Sequence, residues 1–325
     1  MLFFVSASNE AYFNMAMEEY FFEQSKDEFL FLWQNTNAIV VGRYQNTAEE
    51  VNSAFVEDKH ITVVRRMSGG GAMYQDMGNI NYTFIVNRHA SELDFSIFTD
   101  GVVCVLCRLG VPAETSGRND IVIHERKISG SAQFSRGGRI LHHGTLLFDS
   151  ALETLEKALR VRVGKLESKG VKSVRMRVDN IRPHLALDME TDEFIDFLSK
   201  YLEGEYCLNK YLLTEEDQSA IKRLVREKYS TWAWNYGQSP PYTVMRERRF
   251  AGGTVIAYLV VENGRIHSVD LRGDFFALPD CAYLNTVLKG VPSNCASVFA
   301  ALRAFSSEGY IYSITNGELA ELLGD

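Results

Sequence analysis

The chain reads as an α+β protein: a large mixed-sheet domain with flanking helices, followed by a small second α+β domain. Three observations carry that reading. Strand-length apolar runs are interspersed with segments of helical period, without a repeat or a sustained heptad. Gly237-Gln238-Ser239-Pro240-Pro241 interrupts the chain, because two prolines neither continue a helix nor donate to a strand ladder. Beyond it, strand-patterned segments at 254–262 and 265–270 flank Asn263-Gly264, a strong short-range hairpin signal.

Residues 10–24 carry apolar side chains at helical spacing and predict an amphipathic helix. Runs at 29–33 and 38–41 read as strands, the second ending in the turn Gly42-Arg43-Tyr44-Gln45-Asn46. A helix follows near 48–58, then strands at 61–64 and 80–87 and a largely buried helix at 96–109. Past Pro112 the pattern shortens: 121–123, a tight turn at His124-Glu125-Arg126, and 127–133 form a hairpin, and 140–148 another strand. Residues 150–235 are helix-rich. Between Lys157 and Arg182 they hold Arg160, Arg162, Lys165, Lys169, Lys172, Arg175 and Arg177 against Glu167 and Asp179. That island is either a solvated basic face or a docking surface for an acidic partner. Helices at 282–288, 293–305 and 317–323 cover the second sheet, so the domains divide as 1–240 and 246–325.

Composition bounds the function. With 325 residues, 46% apolar and 23% charged, the chain is an ordinary globular protein of two-domain size. A net charge of −8 argues against binding nucleic acid by bulk electrostatics. No stretch reaches the roughly 18 apolar residues of a membrane span. Early acids at Glu10, Glu18 and Glu19 do not fit a secretory signal, so a cytoplasmic location is expected, with mitochondrial import left open. Five cysteines, an odd number, do not make a disulfide framework. The CxxC of Cys104 and Cys107 lies in an apolar helical pattern without a second ligand pair, and both thiols are assigned to the core.

The densest chemistry lies at Arg65-Arg66-Met67-Ser68-Gly69-Gly70-Gly71-Ala72-Met73-Tyr74, directly after an apolar β-branched run. Glycines allow positive φ and close approach, and exposed N–H groups beside guanidinium groups suit a phosphate or carboxylate. A hairpin turn with solvated arginines is the alternative. Neither GxxxxGK[ST] nor GxGxxG is present, so phosphate binding would have to use this loop. Asp120 is either a turn former or an oxygen ligand for Mg²⁺. Lys127 is either an edge lysine or a point charge facing developing negative charge. His142 and His143, on an apolar strand, lack a third ligand for zinc.

Taken together, RRMSGGGAMYQDMGN (65–79), GRNDI (117–121), KISGSAQ (127–133), HHGTLLFD (142–149), KGVKSVRMRVDNI (169–181) and STWAWNYGQSP (230–240) resemble the lipoate–protein ligase A family, of the biotin/lipoate ligase type. The likeness spans the large domain in order, and the trailing segment matches the family's accessory domain. It implies activation of lipoate or octanoate by ATP with Mg²⁺ to an acyl-adenylate. The acyl group then passes to a lysine of a 2-oxoacid dehydrogenase E2 lipoyl domain or of the glycine-cleavage H protein. Carried onto this chain, Lys127 is catalytic; Arg66, Gly71, Ala72, Met73, Tyr74 and Asn79 join it at ATP; Ser68, Gly70 and His143 join it at lipoate; Asp120 serves the metal. Two departures stand out: Gln75 where many relatives have His, and a short turn between Asp120 and Lys127. Among relatives of the same fold, cysteine amidotransferases place a nucleophile upstream of the motif lysine, and no cysteine lies between Cys107 and Cys207 here. A transferase that uses preformed lipoyl-AMP, or a non-catalytic lipoate-binding protein, would keep most of these motifs. The GRGRxGR-like loop of biotin ligases is missing.

Overall fold

The computed structural model describes residues 1–88, 94–117, 119–159, 178–237, 243–277, 283–305 and 310–324. The basic residues Arg160 to Arg177, Arg118 and the linker residues 238–241 lie outside the described residues. The chain clusters into two bodies. One comprises Met1–Val41, Thr47–Met67 and Ala72–Asn235; the other comprises Gly42–Asn46, Ser68–Gly71 and Tyr236–Asp325.

In the first body the strands are β1 (Leu2–Val5), β2 (Phe29–Trp33), β3 (Ala38–Val41), β4 (Thr62–Arg65), β5 (Met73–Gln75), β6 (Asn79–Asn87), β7 (Glu114–Ser116), β8 (Asp120–Ile123), β9 (Arg126–Arg136), β10 (Arg139–Leu147) and β11 (Asn209–Lys210). Its helices are α1 (Ala11–Gln24), α2 (Thr47–Glu50), α3 (Ser53–Asp58), α4 (Ser96–Arg108), α5 (Leu152–Ala158), α6 (Thr191–Tyr206), α7 (Glu215–Leu224) and α8 (Trp232–Asn235). Eight strands form a mixed sheet in the order β11–β1–β2–β6–β10–β9–β8–β7, and β4–β3–β5 form a smaller one. β1 runs parallel to β2 and β11, and the remaining neighbours in the large sheet are antiparallel.

Alternation along the central strands sends side chains to two different cores. One face carries Ile80, Tyr82, Phe84 and Leu146 into a cluster with Phe98, Val102 and Leu106 of α4 and Phe194 and Leu198 of α6. The other carries Phe29, Phe31, Trp33, Ile85 and Leu141 against Met15, Met17, Phe21 and Phe22 of α1. Each such side chain contributes about 1.5–3 kcal/mol on burial. α6 and α7 start with capping boxes, Glu190 with Glu193 and Thr214 with Asp217, as their first-turn acids favour.

Several expectations change. The helix expected near 48–58 is two short helices, because the Asn52 side chain accepts the Phe55 N–H and starts a second one. Cys104 and Cys107 are exposed, not core. Val102, Val105 and Leu106 take the buried face of α4, leaving positions 104 and 107 outside, where the Cys104 Sγ accepts from the Tyr201 hydroxyl at 3.2 Å. The hairpin of β8 and β9 turns through His124 (φ 47°) and Glu125 (φ 64°), so two residues suffice and the turn is short.

His142 and His143 point to opposite faces. His142 is fully buried among Tyr82, Phe84, Phe95 and Phe98, with its Nδ1 accepting from Gln133 Nε2 at 2.9 Å. Burial, and secondarily the neighbouring His143, hold it well below the ordinary histidine value. The native state keeps it neutral, whereas the unfolded chain protonates it near pH 6.5. Its contribution is therefore whole above that pH and falls as pH drops below it, by about 1.4 kcal/mol per pH unit. The urea midpoint is expected to fall more steeply between pH 7 and 5 than that of His142→Leu; parallel profiles would contradict this.

The second body holds β12 (Val244–Phe250), β13 (Gly253–Glu262) and β14 (Arg265–Gly273), an antiparallel meander. Helices α9 (Tyr283–Leu288), α10 (Cys295–Phe305) and α11 (Asn316–Leu323) pack on it through Leu284, Leu288, Val298, Leu302 and Leu319. The β13–β14 turn is the expected one, with Asn263 at φ 52° and Gly264 at φ 71°. The structure is thus α+β in both parts.

Candidate active site

The five central strands present one polar row. Asp120 pairs with Gly130, Gly130 with Thr145, Thr145 with Asn81, and Asn81 with Trp33. Residues directly opposite share a face, so these positions and the neighbouring Asn79, Thr83 and His143 lie on one side of the sheet.

At one end of the row, Lys127 Nζ meets Asp120 Oδ1 at 2.7 Å, with the two side chains 31% and 36% exposed. The lysine fits because Gly130 has no side chain: a Cβ there would stand 2.6 Å from Nζ. Around it, the Lys127 carbonyl accepts the Asp179 N–H at 2.9 Å, and Arg126 pairs with Asp179 at 2.9 Å. Gly130→Ala is therefore expected to displace the lysine tip and slow any reaction that depends on it by about ten- to hundredfold, with little change in stability. An unchanged rate would show that the tip does not matter.

At the centre lies a buried network that the sequence reading missed. Glu18 of α1, 1% exposed, accepts from Thr83 Oγ1 at 2.6 Å and pairs with His143 Nδ1 at 2.9 Å. Trp33 Nε1 donates to Thr83 Oγ1 at 2.8 Å. Beside it, Gln75 Nε2 donates to Asn81 Oδ1 at 2.7 Å and Thr145 Oγ1 at 3.0 Å, while its Oε1 accepts from Asn35. Gln75 is thus a hydrogen-bonding hub. The readable signal was polar Asn79, Asn81 and Thr83 alternating with apolar residues in a central strand.

Asn79 begins β6, and its Oδ1 accepts the Asp76 N–H at 2.8 Å. Its Nδ2 is buried with no hydrogen-bond partner among the described residues, a costly arrangement that a ligand acceptor would relieve. Tyr74 is buried on β5, donates to Asn37 Oδ1 at 3.1 Å, and is pushed up to about 12 by burial and, secondarily, Asp76. Met73 begins the same strand, and Ala72 precedes it.

The paired arginines separate. The Arg65 guanidinium turns inward: Nε donates to Trp234 O at 2.9 Å, and Nη2 to Thr47 Oγ1 at 2.7 Å and Asn235 O at 3.1 Å. Arg66 is also buried; burial pulls its guanidinium down to about 10, partly opposed by the Glu18 carboxylate, so it stays cationic at neutral pH.

Ser68, Gly70 and Gly71 belong to the second body, unlike the other expected site residues. There Gly70, at φ 89°, donates its N–H to Phe275 O at 3.1 Å. Gly69 is required by close approach, because a Cβ would stand 2.1 Å from Phe275 O. Within that body the Tyr44 ring stacks on Phe275 at 4.8 Å. Part of the glycine run is therefore structural. In the first body, a groove of about 880 Å³ lined by Phe4, Phe13, Tyr211 and Leu213 holds none of the expected site residues.

Comparison with known proteins matches the chain to a family. The lipoyl protein ligase A/B catalytic domain covers residues 10–203, and the bacterial lipoate protein ligase C-terminus covers residues 239–323. The chain is 39% identical to lipoate-protein ligase LplJ of Bacillus subtilis over 321 residues, 97% of each chain. It is 39% identical to lipoate–protein ligase 1 of Staphylococcus aureus over 325 residues, covering 98% and 99%. Among solved structures, P. falciparum LipL1 in complex with lipoate shares the fold, with a TM-score of 0.76 at 22% identity over 93% and 94% of the chains. Lipoate-protein ligase A bound with ATP has a TM-score of 0.61 at 25% identity over 73% of this chain and 97% of that one. With both domain families in order and relatives matching nearly end to end, this chain belongs to the lipoate–protein ligase family.

Proposed function

We propose that the chain activates lipoate, or octanoate, with ATP and passes the acyl group to a lysine of an E2 lipoyl domain or of the glycine-cleavage H protein. The observation that carries this reading is Lys127, set over Gly130 beside Asp120, on the sheet face that also presents Asn79 and the Glu18–His143 pair. The solved relatives bound with ATP and with lipoate support both ligands, and an archaeal relative, 29% identical and studied with its E2 lipoyl domain, supports the acceptor.

In the first half-reaction the acid's carboxylate attacks the α-phosphorus, the bond to the bridging oxygen breaks, and pyrophosphate leaves. Lys127 faces the charge that grows on the phosphoryl and acyl oxygens, where a fixed cation acts without reorganising. Arg66, Ala72, Met73, Tyr74 and Asn79 serve the nucleotide, with the Asn79 amide supplying the buried donor. In the second half-reaction the acceptor amine attacks the acyl carbonyl, loses its proton, and AMP departs. His143 serves the acyl arm, whose burial contributes about 0.8 kcal/mol per CH₂. Gly71 at the nucleotide, and Ser68 and Gly70 at lipoate, are assigned on the family resemblance alone.

Among the described residues no group of three or more His, Cys, Asp or Glu side chains is placed to hold a metal. A single carboxylate nevertheless suits Mg²⁺, which keeps waters and leans on substrate phosphates. Asp120 would hold it, and the ion would neutralise phosphate charge. Residues 1–240 are assigned to catalysis and 246–325 to an accessory role. A cytoplasmic location is part of the same proposal and accords with the bacterial relatives; no helix among the described residues is long and apolar enough to cross a membrane.

Lipoate-dependent ATP–pyrophosphate exchange, with mass spectrometry of a lipoyl domain incubated with enzyme, ATP, Mg²⁺ and acid, tests the reading. Both exchange and a lipoyl mass increment are expected. Transfer from supplied lipoyl-AMP without exchange would make the chain a transferase that uses a preformed adenylate; neither activity would reject the proposal.

A further inference from the structure

Arg66 follows directly on β4, and the peptide plane that joins Arg65 to Arg66 is held at both edges. On one edge the Arg66 N–H donates to Val41 O at 3.0 Å; on the other, Trp234 Nε1 donates to Arg65 O at 2.9 Å. A peptide unit is a rigid plate, so two bonds on opposite edges fix the direction in which Arg66 leaves the strand. Asn235 adds a third restraint, its Oδ1 accepting the Arg65 N–H at 2.9 Å. β4 pairs with β3 along one side only, and α8 covers the other, so these side chains do there what a neighbouring strand would do.

The clamp is itself supported. Asn235 is 2% exposed, and its Nδ2 donates to Tyr229 O at 2.7 Å and Thr231 O at 3.1 Å. Lys228 Nζ lies 4.0 Å from the centre of the Trp234 ring, and the Tyr229 ring meets the indole edge-on at 5.9 Å. Val225–Tyr229 is a turn of π-helix, a form concentrated at functional sites, and it brings Lys228 and Tyr229 to Glu19 of α1.

We infer that Trp234 and Asn235 are positioning residues for Arg66, holding the Arg65–Arg66 peptide so that the Arg66 guanidinium is set for the nucleotide phosphates. This rests on the proposed nucleotide role of Arg66 and deepens it: the STWAWN segment acts on the substrate through the β4 backbone. Trp234→Phe keeps an aromatic ring for Lys228 and Tyr229 and deletes the Nε1–H donor with part of the indole's packing surface. Its dissociation constant for ATP, by isothermal titration of the full chain, is expected to rise about tenfold, as for the loss of one orienting hydrogen bond. In an Arg66→Ala background the same substitution is expected to change nothing beyond about twofold, because contacts that act through one group do not add. Lys228→Leu, which loosens the indole from outside the bond, gives a second series with a smaller rise that also vanishes without Arg66. An unchanged constant in Trp234→Phe, or equal losses with and without Arg66, overturns the positioning role. If Arg66→Ala alone leaves ATP affinity intact, the nucleotide role of Arg66 fails, and the inference with it.

Discussion

Lys127→Ala is expected to lower lipoate-dependent ATP–pyrophosphate exchange by about 10²–10³-fold, the usual loss on removing one fixed electrostatic contact to a transition state. Stability should scarcely move. Both partners of the Lys127–Asp120 pair are about one-third exposed, and such pairs contribute about 0–1 kcal/mol. The contrast between a large kinetic loss and a small shift in urea midpoint marks a residue that acts on substrate. Transfer from supplied lipoyl-AMP should also fall, because the proposed role sets the same side chain against the acyl carbonyl. Lys127→Arg should not restore full activity: a planar fork does not reproduce a compact ammonium packed over Gly130. Exchange within threefold of the unmodified protein would remove Lys127 from the reaction.

Glu18→Ala carries the largest expected cost in stability, about 3–5 kcal/mol, the range for removing one member of a buried charged network. The substitution removes the acceptor of the Thr83 hydroxyl proton and the carboxylate partner of His143 Nδ1, both buried, and removes the anion that favours the charged form of Arg66. Glu18→Gln keeps an acceptor for Thr83 and should cost less. Urea unfolding at pH 7 measures the difference, and a loss below about 1 kcal/mol in Glu18→Ala would mean that the network relaxes around the gap.

Much of the site could be read locally. Asp120 and Lys127 sit at either end of a tight turn, so a hairpin had to bring them close, and the ion pair follows. The Asn263-Gly264 turn was equally legible, because only backbone with positive φ joins strands so tightly. Glu18 was not legible: a carboxylate in an apolar helix reads as solvent-facing until His143 and Thr83, far along the chain, close over it. Arg65 and Arg66 are chemically identical in sequence, and the contacts of Thr47, Trp234 and Asn235 mark Arg65 as a structural cation, whereas Arg66, which donates to Val40 O at 3.3 Å, is the one assigned to nucleotide. The cysteines of α4 misled because an apolar segment still has an outer face.

The sequence by itself determined most of the elements, the hairpins, the order of the motifs and hence the family, because turns and short motifs depend on neighbours in the chain. Tertiary structure alone decided which polar side chains share a sheet face, which partners the Arg65 guanidinium takes, and that Gly69 and Gly70 pack against Phe275. Those outcomes depend on pairings between residues tens to hundreds of positions apart, where burial and strand register, not local propensity, set the result.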